Sequence, residues 1–163
     1  MVHKNDGTKD ARPPQLEDLV NLCKNLNNRG AKYIVIGGMA MLQQGMIRAT
    51  EDIDLLIEIN KKNERAVIDA VAQLPDQAAL ELEPGDIGNY EVIRVADEIV
   101  VDLMAKAGGI TYENASKKIQ LVKINKVTIP FANIDLLIEM KQTARPKDQV
   151  DMAFLTEKKK NLK

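Results

Sequence analysis

The sequence predicts one α+β domain, in which a mixed β-sheet is flanked by α-helices. Its 163 residues, 45% of them apolar, are enough for one domain with a substantial core. Strand-like and helix-like runs follow one another without the strand–helix–strand rhythm of a doubly wound sheet, and we find no repeats or low-complexity tracts. We expect the domain to span residues 14–157, between a disordered leader, residues 1–13, and a basic, solvated tail, residues 158–163.

The first half of the chain is predicted to form helices and strands around a Gly-Gly pair. Apolar residues recur at helical spacing over residues 15–28, as in an amphipathic helix. Tyr33–Ile36 is a short, continuously apolar run, which is typical of a buried strand. A short helix, residues 39–44, is expected directly after the glycines. Over residues 52–59, apolar residues alternate with mostly acidic ones, as on a strand with one polar face.

The second half is predicted to mix the two kinds of element as well. The spacing of apolar and turn residues predicts a helix over residues 63–74, an irregular loop over 75–89, a strand pair over 90–95 and 98–105 joined by a tight Ala96-Asp97 turn, and a short helix over 111–118. It further predicts a hairpin over residues 119–124 and 127–129 around Asn125-Lys126, a helix capped by Asn133, and a last helix opened by Pro146.

The composition excludes several classes of function. The formal net charge is −1, so the chain lacks the basic excess of a protein that binds nucleic acid over its whole surface, although a local basic patch is still allowed. His3 and Cys23 are the only residues of their kinds, which excludes a zinc site of His and Cys ligands and an internal disulfide. No apolar run reaches ~18 residues, and residues 1–14 lack the apolar segment of a signal peptide, so we expect a cytoplasmic protein.

Gly37 and Gly38 lie between the predicted buried strand and the short helix. Glycines at such a point let a phosphate approach the backbone, and a helix start offers unpaired N–H groups and a partial positive charge. Taken alone, a Gly-Gly pair after a strand is more often only a turn. The pair is therefore informative only together with the residues that follow it.

Asp52 and Asp54 are two residues apart on the next predicted strand. A period of two puts both carboxylates on one face, with backbones about 6.6 Å apart at ~3.3 Å per residue. Mg²⁺ prefers oxygen ligands and is usually held by one or two carboxylates together with substrate phosphates. The alternative is a solvated strand face, which is less attractive because neighbouring like charges repel each other unless a cation lies between them.

The combined pattern is strand, Gly-Gly, short helix, Arg-x-Thr, and then Asp-Ile-Asp-Leu on the next strand. It resembles the nucleotidyltransferase superfamily that includes DNA polymerase beta, and is most similar to its minimal bacterial branch, which includes abortive-infection type toxin nucleotidyltransferases. The resemblance covers roughly residues 16–157 and implies a nucleotidyltransferase-like fold. It also implies a third aspartate on a neighbouring strand. Asp102 is the candidate, since an acid within an apolar strand is costly unless paired or coordinated; the alternative is an edge-strand residue that faces solvent.

The segment of residues 135–151 also resembles this branch. Lys141 and Lys147 lie on the apolar sides of their predicted helices, where a lysine either snorkels or answers a negative charge. A triphosphate would be such a charge. An ion pair of Lys147 with Asp151, at i and i+4, is an equal alternative.

The resemblance implies transfer of a nucleoside monophosphate from a nucleoside triphosphate, such as ATP, to an acceptor. It implies that Mg²⁺, or Mn²⁺ in its place, is held by three catalytic residues, Asp52, Asp54 and Asp102. The nucleotide would be bound by Gly37, Gly38, Arg48, Thr50, Lys141 and Lys147, where Arg48 and Thr50 contact phosphate or orient their loop.

Two departures from the family pattern concern phosphate and acceptor. Gly38 stands where relatives can have Ser, so backbone N–H groups must bind phosphate there. The chain also lacks the appended helical domains with which larger relatives grip an acceptor. The acceptor therefore stays open between a protein side chain, a tRNA end and a small molecule.

Other classes of function remain open beside the enzyme. The domain could be a nucleotidyltransferase-fold binding module without turnover, which acts through a protein partner, as in a toxin–antitoxin pair. A metal-dependent phosphohydrolase with the same acids is a third class, which the resemblance does not favour. A working enzyme needs three converging carboxylates and an open cleft beside the Gly-Gly pair. We expect no membrane partner, and a monomer or weak homodimer.

Overall fold

The computed structural model describes residues 10–162 in full and, before them, only the backbone of Val2–His3. The helices are α1 (Leu16–Asn28), α2 (Gly37–Gln43), α3 (Lys61–Val71), α4 (Asp86–Tyr90), α5 (Tyr112–Ala115), α6 (Ile134–Met140) and α7 (Pro146–Asn161). A 3-10 turn, Ala78–Glu81, lies between α3 and α4. The strands are β1 (Val2–His3), β2 (Tyr33–Ile36), β3 (Asp52–Ile57), β4 (Val92–Ala96), β5 (Val100–Met104), β6 (Lys106–Ala107), β7 (Ile110–Thr111), β8 (Ile119–Ile124) and β9 (Val127–Ala132). None of the described helices has the length and apolar character needed to cross a membrane.

Seven of these strands form one mixed sheet, in the order β1-β4-β5-β3-β2-β9-β8. β3 runs parallel to β5, β2 parallel to β9 and β1 parallel to β4, whereas the other neighbours are antiparallel. β6 and β7 form a separate hairpin. The predicted α+β class with a mixed sheet is confirmed, and β3, which carries the Asp-Ile-Asp sequence, is the central strand.

The core holds β3 from the side opposite its acids. Ile53, Leu55 and Ile57 are fully buried, whereas Asp52 and Asp54 on the other face are half-buried. α1 packs against α3 and β9, and α2 packs against β2 and β3. Each fully buried aliphatic side chain contributes about 1.5–3 kcal/mol, so the sheet that carries the acids is anchored by the main core of the domain.

Several predicted turns and caps are confirmed at the level of single residues. Asn125 and Lys126, between β8 and β9, have φ of 49° and 68°, the left-handed values that a two-residue hairpin turn of this kind requires. Asn133 caps α6, because its side-chain oxygen accepts the N–H of Leu136 at 2.9 Å. Pro146 is the first residue of α7, where its missing N–H costs nothing.

The prediction of an irregular loop over residues 75–89 is wrong in part, because this segment contains the 3-10 turn and α4. Two buried carboxylates from elsewhere hold it in place. Asp97 accepts two backbone N–H groups of the segment at 2.9 Å, and Glu64 accepts two more at 3.0 Å. Local turn residues carry no signal for partners that lie on other elements.

The predicted basic tail, residues 158–163, is instead the end of α7 as far as the structure describes it. Lys158 Nζ donates to the backbone oxygen and to Oε1 of Gln44, both at 2.7 Å. Lys159 pairs with Asp135 on α6. These contacts and the helix hydrogen bonds order residues that charge alone would leave solvated.

The predicted disordered leader, residues 1–13, falls largely outside the described residues. Two parts of it are ordered. β1 pairs with β4, and the Arg12 guanidinium donates to both carboxylate oxygens of Asp18 at 2.7 and 2.8 Å and to Glu98 at 3.3 Å. Residue 12 is thereby attached both to α1 and to the turn after β4.

Candidate active site

Three carboxylates meet on one face of the central sheet. Asp54 on β3 lies directly beside Asp102 on the parallel strand β5, and Asp52 is two residues earlier on β3. One oxygen from each of the three side chains lies within 4.8 Å of the others. The separation of two residues predicted by strand periodicity therefore brings the pair together, and the register of β5 adds the third acid.

The first turn of α2 is shaped around Asp54. Gly37 has φ +65°, and a Cβ there would collide with Oδ2 of Asp54 and lie 2.9 Å from its Cγ. A Cβ on Gly38 would lie 3.0 Å from both Oγ1 and Cγ2 of Thr50. The glycines thus let the backbone pass close to one acid and one hydroxyl, which is a structural requirement beyond any approach of phosphate.

We expect Gly37→Ala to destabilise the protein more than Gly30→Ala does. Gly30 has the same left-handed φ, +66°, but nothing lies within 4 Å of a Cβ there. Both variants suffer the backbone strain of about 1 kcal/mol, and only the first also displaces Asp54, for a further cost on the order of 1–3 kcal/mol. Urea unfolding of the two variants measures the difference. Equal losses of stability would contradict the tight approach to Asp54.

Burial and mutual repulsion disfavour the ionised forms of Asp52 and Asp54 when no cation lies among the acids. Burial raises the pKa of Asp54 to about 8, and the charges of Asp52 and Asp102 add to this effect. The pKa of Asp52 is also raised, first by burial and then by the charge of Asp102. Groups of this kind are stabilised as carboxylates by a cation placed among them.

Arg94 on β4 is the cation that the structure places there, and the sequence analysis missed it. It lies opposite Asp102 in the antiparallel register of β4 and β5. Its Nε and Nη2 donate to the two oxygens of Asp102, and Nη2 also donates to Asp52, all at 3.0 Å. The Arg94 side chain is 45% exposed, so it closes the acidic cluster from the solvent side without being buried itself.

The raised pKa of Asp54 predicts how stability depends on pH. In the unfolded chain the Asp54 pKa is about 3.9, and in the folded protein it is about 8. The protonated folded form is favoured, so the contribution of Asp54 is fully present below about pH 4 and is lost as the pH rises through about 8. We expect the melting temperature in EDTA to fall between pH 5 and pH 8.5.

Two controls isolate Asp54 in that experiment. The lowered pKa values of Asp18, Asp135 and Asp148 act below about pH 4, outside the chosen range. Asp54→Asn removes this titrating group and should make the curve shallower, and the fall that remains belongs to Asp52, whose pKa is also raised. A wild-type melting temperature that stays constant or rises between pH 5 and 8.5 would show that the pKa of Asp54 in the folded protein is not raised.

All nine residues predicted for the site line one open cleft of about 450 Å³. Beside the three aspartates and the two glycines, its wall contains the predicted Arg48, Thr50, Lys141 and Lys147. Five further charged residues that the sequence did not single out also line it: Glu51, Arg94, Lys106, Arg145 and Asp148. The structure thus brings the predicted residues together, while their roles stay predictions.

The basic side of this cleft contains ion pairs other than the one considered from the sequence. Asp151 binds Arg48 at 2.6 Å and Lys141 at 2.8 Å. Lys147 is exposed, and no carboxylate in residues 10–162 lies within 4.0 Å of its Nζ. The alternative of a Lys147–Asp151 pair is therefore wrong, because closer cations occupy Asp151.

Thr50 presents an unsatisfied group at the edge of the cleft. Its Oγ1 is buried and has no hydrogen-bond partner among the residues that the structure describes. A buried hydroxyl without a partner costs about 1–3 kcal/mol, and Thr50 lies against Gly38. An oxygen from a bound molecule or a water would satisfy this hydroxyl.

Comparison with solved structures supports the fold class. The chain is similar to a structure described as a putative nucleotidyltransferase from Thermotoga maritima, with a TM-score of 0.52, 15% identity, and coverage of 98% of this chain and 100% of the other. It is also similar to an antigenic nucleotidyltransferase-like protein from Paracoccidioides brasiliensis, with a TM-score of 0.53, 14% identity, and coverage of 88% and 78%. A scan of protein-family models and a search of curated proteins found no match. At these identities the likeness shows a nucleotidyltransferase-like fold, and the toxin branch stays a prediction.

Proposed function

We propose that this protein is a Mg²⁺-dependent nucleotidyltransferase, which moves a nucleoside monophosphate from a nucleoside triphosphate to an acceptor. The observation that carries the proposal is the convergence of Asp52, Asp54 and Asp102 within 4.8 Å, in an open cleft beside Gly37 and Gly38. These are the two conditions that a working enzyme of this kind has to meet.

The donor set fits a divalent cation. Three carboxylates supply hard oxygen ligands, which Mg²⁺ and Mn²⁺ prefer. Burial first, and then the neighbouring acids, raise the pKa values of Asp52 and Asp54, and a cation among the acids would favour their ionised forms. When bound, the metal would supply Lewis-acid stabilisation of phosphoryl oxygens and lower the pKa of a coordinated hydroxyl.

The rest of the cleft fits the phosphates of the donor. Arg48, Lys141 and Lys147 provide positive charge on one side of the acids, and Thr50 provides a hydroxyl without a partner. The volume of about 450 Å³ is within the range of small-molecule sites. Such a reaction depends on positioning and electrostatics, so the absence of a histidine in residues 10–162 is no obstacle.

The acceptor step needs an acid–base partner near the transferred phosphorus. The acceptor oxygen forms a bond to the α-phosphorus, the bond to pyrophosphate breaks, and the acceptor hydroxyl loses its proton. Asp102 is the candidate to accept that proton, because it is 8% exposed and shares its face with Asp54. Its present hydrogen bonds to Arg94 would have to be exchanged for the acceptor.

Arg94 also favours a second candidate function. Its hydrogen bonds to Asp52 and Asp102 satisfy two of the three acids without a metal, as expected of a binding module whose acids serve structure. Such a module would act in the cytoplasm through a protein partner, as in a toxin–antitoxin pair. It would bind nucleotide without transferring any part of it.

The test is incubation of the purified protein with Mg²⁺ and each α-³²P-labelled nucleoside triphosphate, with and without cell extract. Asp52→Ala/Asp54→Ala is the inactive control. Label that moves with the wild type and not with the control establishes transfer, and digestion of the product with ribonuclease or protease identifies the acceptor class. Mg²⁺-dependent binding without transfer favours the binding module. If the protein neither binds nor transfers nucleotide, both functions are refuted.

A further inference from the structure

A buried carboxylate behind the cleft, Asp151 on α7, has no role in the function proposed above. Its side chain is 0% exposed, which is costly for an ionised group unless charged partners surround it. Arg48 Nη1 donates to both of its oxygens, at 2.6 and 2.7 Å. Lys141 Nζ lies 2.8 Å from Oδ2. One carboxylate therefore joins two cations of the cleft wall that come from distant parts of the chain.

These contacts leave both cations with binding capacity. Within residues 10–162, the side-chain hydrogen bonds of Arg48 use Nη1 alone, so its Nε and Nη2 keep their protons for another acceptor. The Nζ of Lys141 carries three N–H donors, and the contact with one oxygen of Asp151 does not occupy all of them. Lys141 also lies 3.8 Å from Asp148, which pairs with Arg145. Counted together, three cations against two carboxylates leave a net positive charge, and all three cations line the cleft.

We infer that Asp151 is a positioning residue for the triphosphate, which holds Arg48 and Lys141 in place before the nucleotide arrives. The inference rests on the proposed function, because it assumes that these two cations bind phosphate. Long cationic side chains lose rotamer freedom when they bind a ligand. Here the two side chains are only 14% and 12% exposed and already ion-paired, so that loss has largely occurred in the free protein.

A purely structural role would use the same contacts to tie α7 to the loop before β3. The two roles differ in what they predict for ligands. A structural tie affects stability without regard to the number of phosphates in a ligand. A positioning role affects a polyphosphate strongly and the binding of metal to the three aspartates little.

The decisive measurement is calorimetric binding of inorganic tripolyphosphate in the presence of Mg²⁺, because this probe does not depend on the unknown base. Asp151→Asn keeps the shape of the side chain and removes its charge. We expect it to bind tripolyphosphate at least about 10-fold more weakly than the wild type. Mn²⁺ binding, measured by electron paramagnetic resonance without phosphate, should stay within about 2-fold. Asp135→Asn, which breaks the exposed pair with Lys159 outside the cleft, is the matched control and should change neither.

Two further variants keep the test decisive. Asp151→Glu retains the charge but displaces both cations, and should weaken tripolyphosphate binding at least about 3-fold; it decides the question if circular dichroism shows that Asp151→Asn is unfolded. In the double variant Arg48→Gln/Asp151→Asn, Asp151 can no longer act through Arg48. Its loss of tripolyphosphate affinity should therefore not exceed the loss in Arg48→Gln plus the part of the Asp151 effect that acts through Lys141.

The outcomes separate this inference from the proposed function. A wild type that binds neither tripolyphosphate nor any nucleoside triphosphate overturns the proposed function, and this inference with it. A wild type that binds tripolyphosphate, with a folded Asp151 variant that binds it equally well, overturns this inference alone. Weaker binding by the Asp151 variants with unchanged Mn²⁺ affinity supports it.

Discussion

Under the proposed function, replacing Asp54 with Asn is expected to abolish nucleotidyl transfer and, at the same time, to raise the melting temperature of the metal-free protein. Transfer should fall on the order of 10³-fold or more, because the cluster loses a charged ligand for the metal. Stability should rise because burial and two neighbouring acids oppose ionisation of Asp54, whose pKa is raised to about 8. At pH 8, a gain of about 1 kcal/mol corresponds to roughly 2–4 °C in a chain of this size.

The opposite signs make this prediction diagnostic. A variant that merely misfolds loses activity and stability together. Asp69→Asn, which breaks an exposed pair with Arg65 on α3, should change neither quantity by more than the error of measurement. Transfer assays and thermal melts in EDTA are both needed. Retention of transfer by Asp54→Asn would remove this residue from the metal site.

Replacing Arg94 with Met is expected to tighten divalent-metal binding by about 10-fold while lowering the stability of the metal-free protein. In the free protein, Arg94 hydrogen-bonds to Asp52 and Asp102, so a metal has to compete with it for the same oxygens. Removing the guanidinium removes both the competitor and a repulsive positive charge. It also leaves the acids without their counter-charge when no metal is bound.

Mn²⁺ titration followed by calorimetry measures the affinity, and thermal melts in EDTA and in Mn²⁺ measure the linkage. The gain in melting temperature on adding Mn²⁺ should be larger for Arg94→Met than for the wild type. Arg65→Met on α3, where Arg65 pairs with Asp69 at an exposed site, controls for loss of a surface charge. Weaker Mn²⁺ binding by Arg94→Met would mean that Arg94 assists the metal site instead of competing for it.

The three aspartates could be predicted from sequence because strand geometry determines where they point. Asp52 and Asp54 share a face by periodicity alone, and Asp102 stands out as an acid within an apolar run. One long-range contact brings them together, the parallel pairing of β3 and β5 that sets Asp54 beside Asp102. Their metal-binding role remains a prediction until metal binding is measured.

Arg94 could not be predicted because its position depends on the register of a turn. A two-residue turn at Ala96-Asp97 would place Arg94 opposite Ile99. The structure instead pairs Ala96 with Val100, which moves Arg94 opposite Asp102. The extra residue in the turn is stabilised by buried Asp97, whose carboxylate accepts N–H groups from residues 76 and 78. A contact across such a distance leaves no local signal in the sequence.

The basic side of the cleft shows a second limit of prediction from the sequence. Helical periodicity correctly singled out Lys141 as a cation on an inward side, and the structure places it in the cleft. Periodicity could not tell that Asp151 pairs with Lys141 and not with Lys147, because this carboxylate is also bound by Arg48, which lies 103 residues before it in the chain. Sequence spacing can rank neighbours on one helix, but it cannot rank partners from another element.

The acids and the cations of the cleft are held by different parts of the molecule. The acids are on β3 and β5, whose separation is set by the hydrogen bonds of the central sheet. Two of the cations depend on α7 through Asp151, and α7 packs mainly on α6. A small shift of α7 would therefore alter how these cations bind a ligand and leave the arrangement of the three aspartates unchanged. Under the proposed function, changes in α7 could therefore alter substrate preference during evolution without altering the arrangement of the three aspartates.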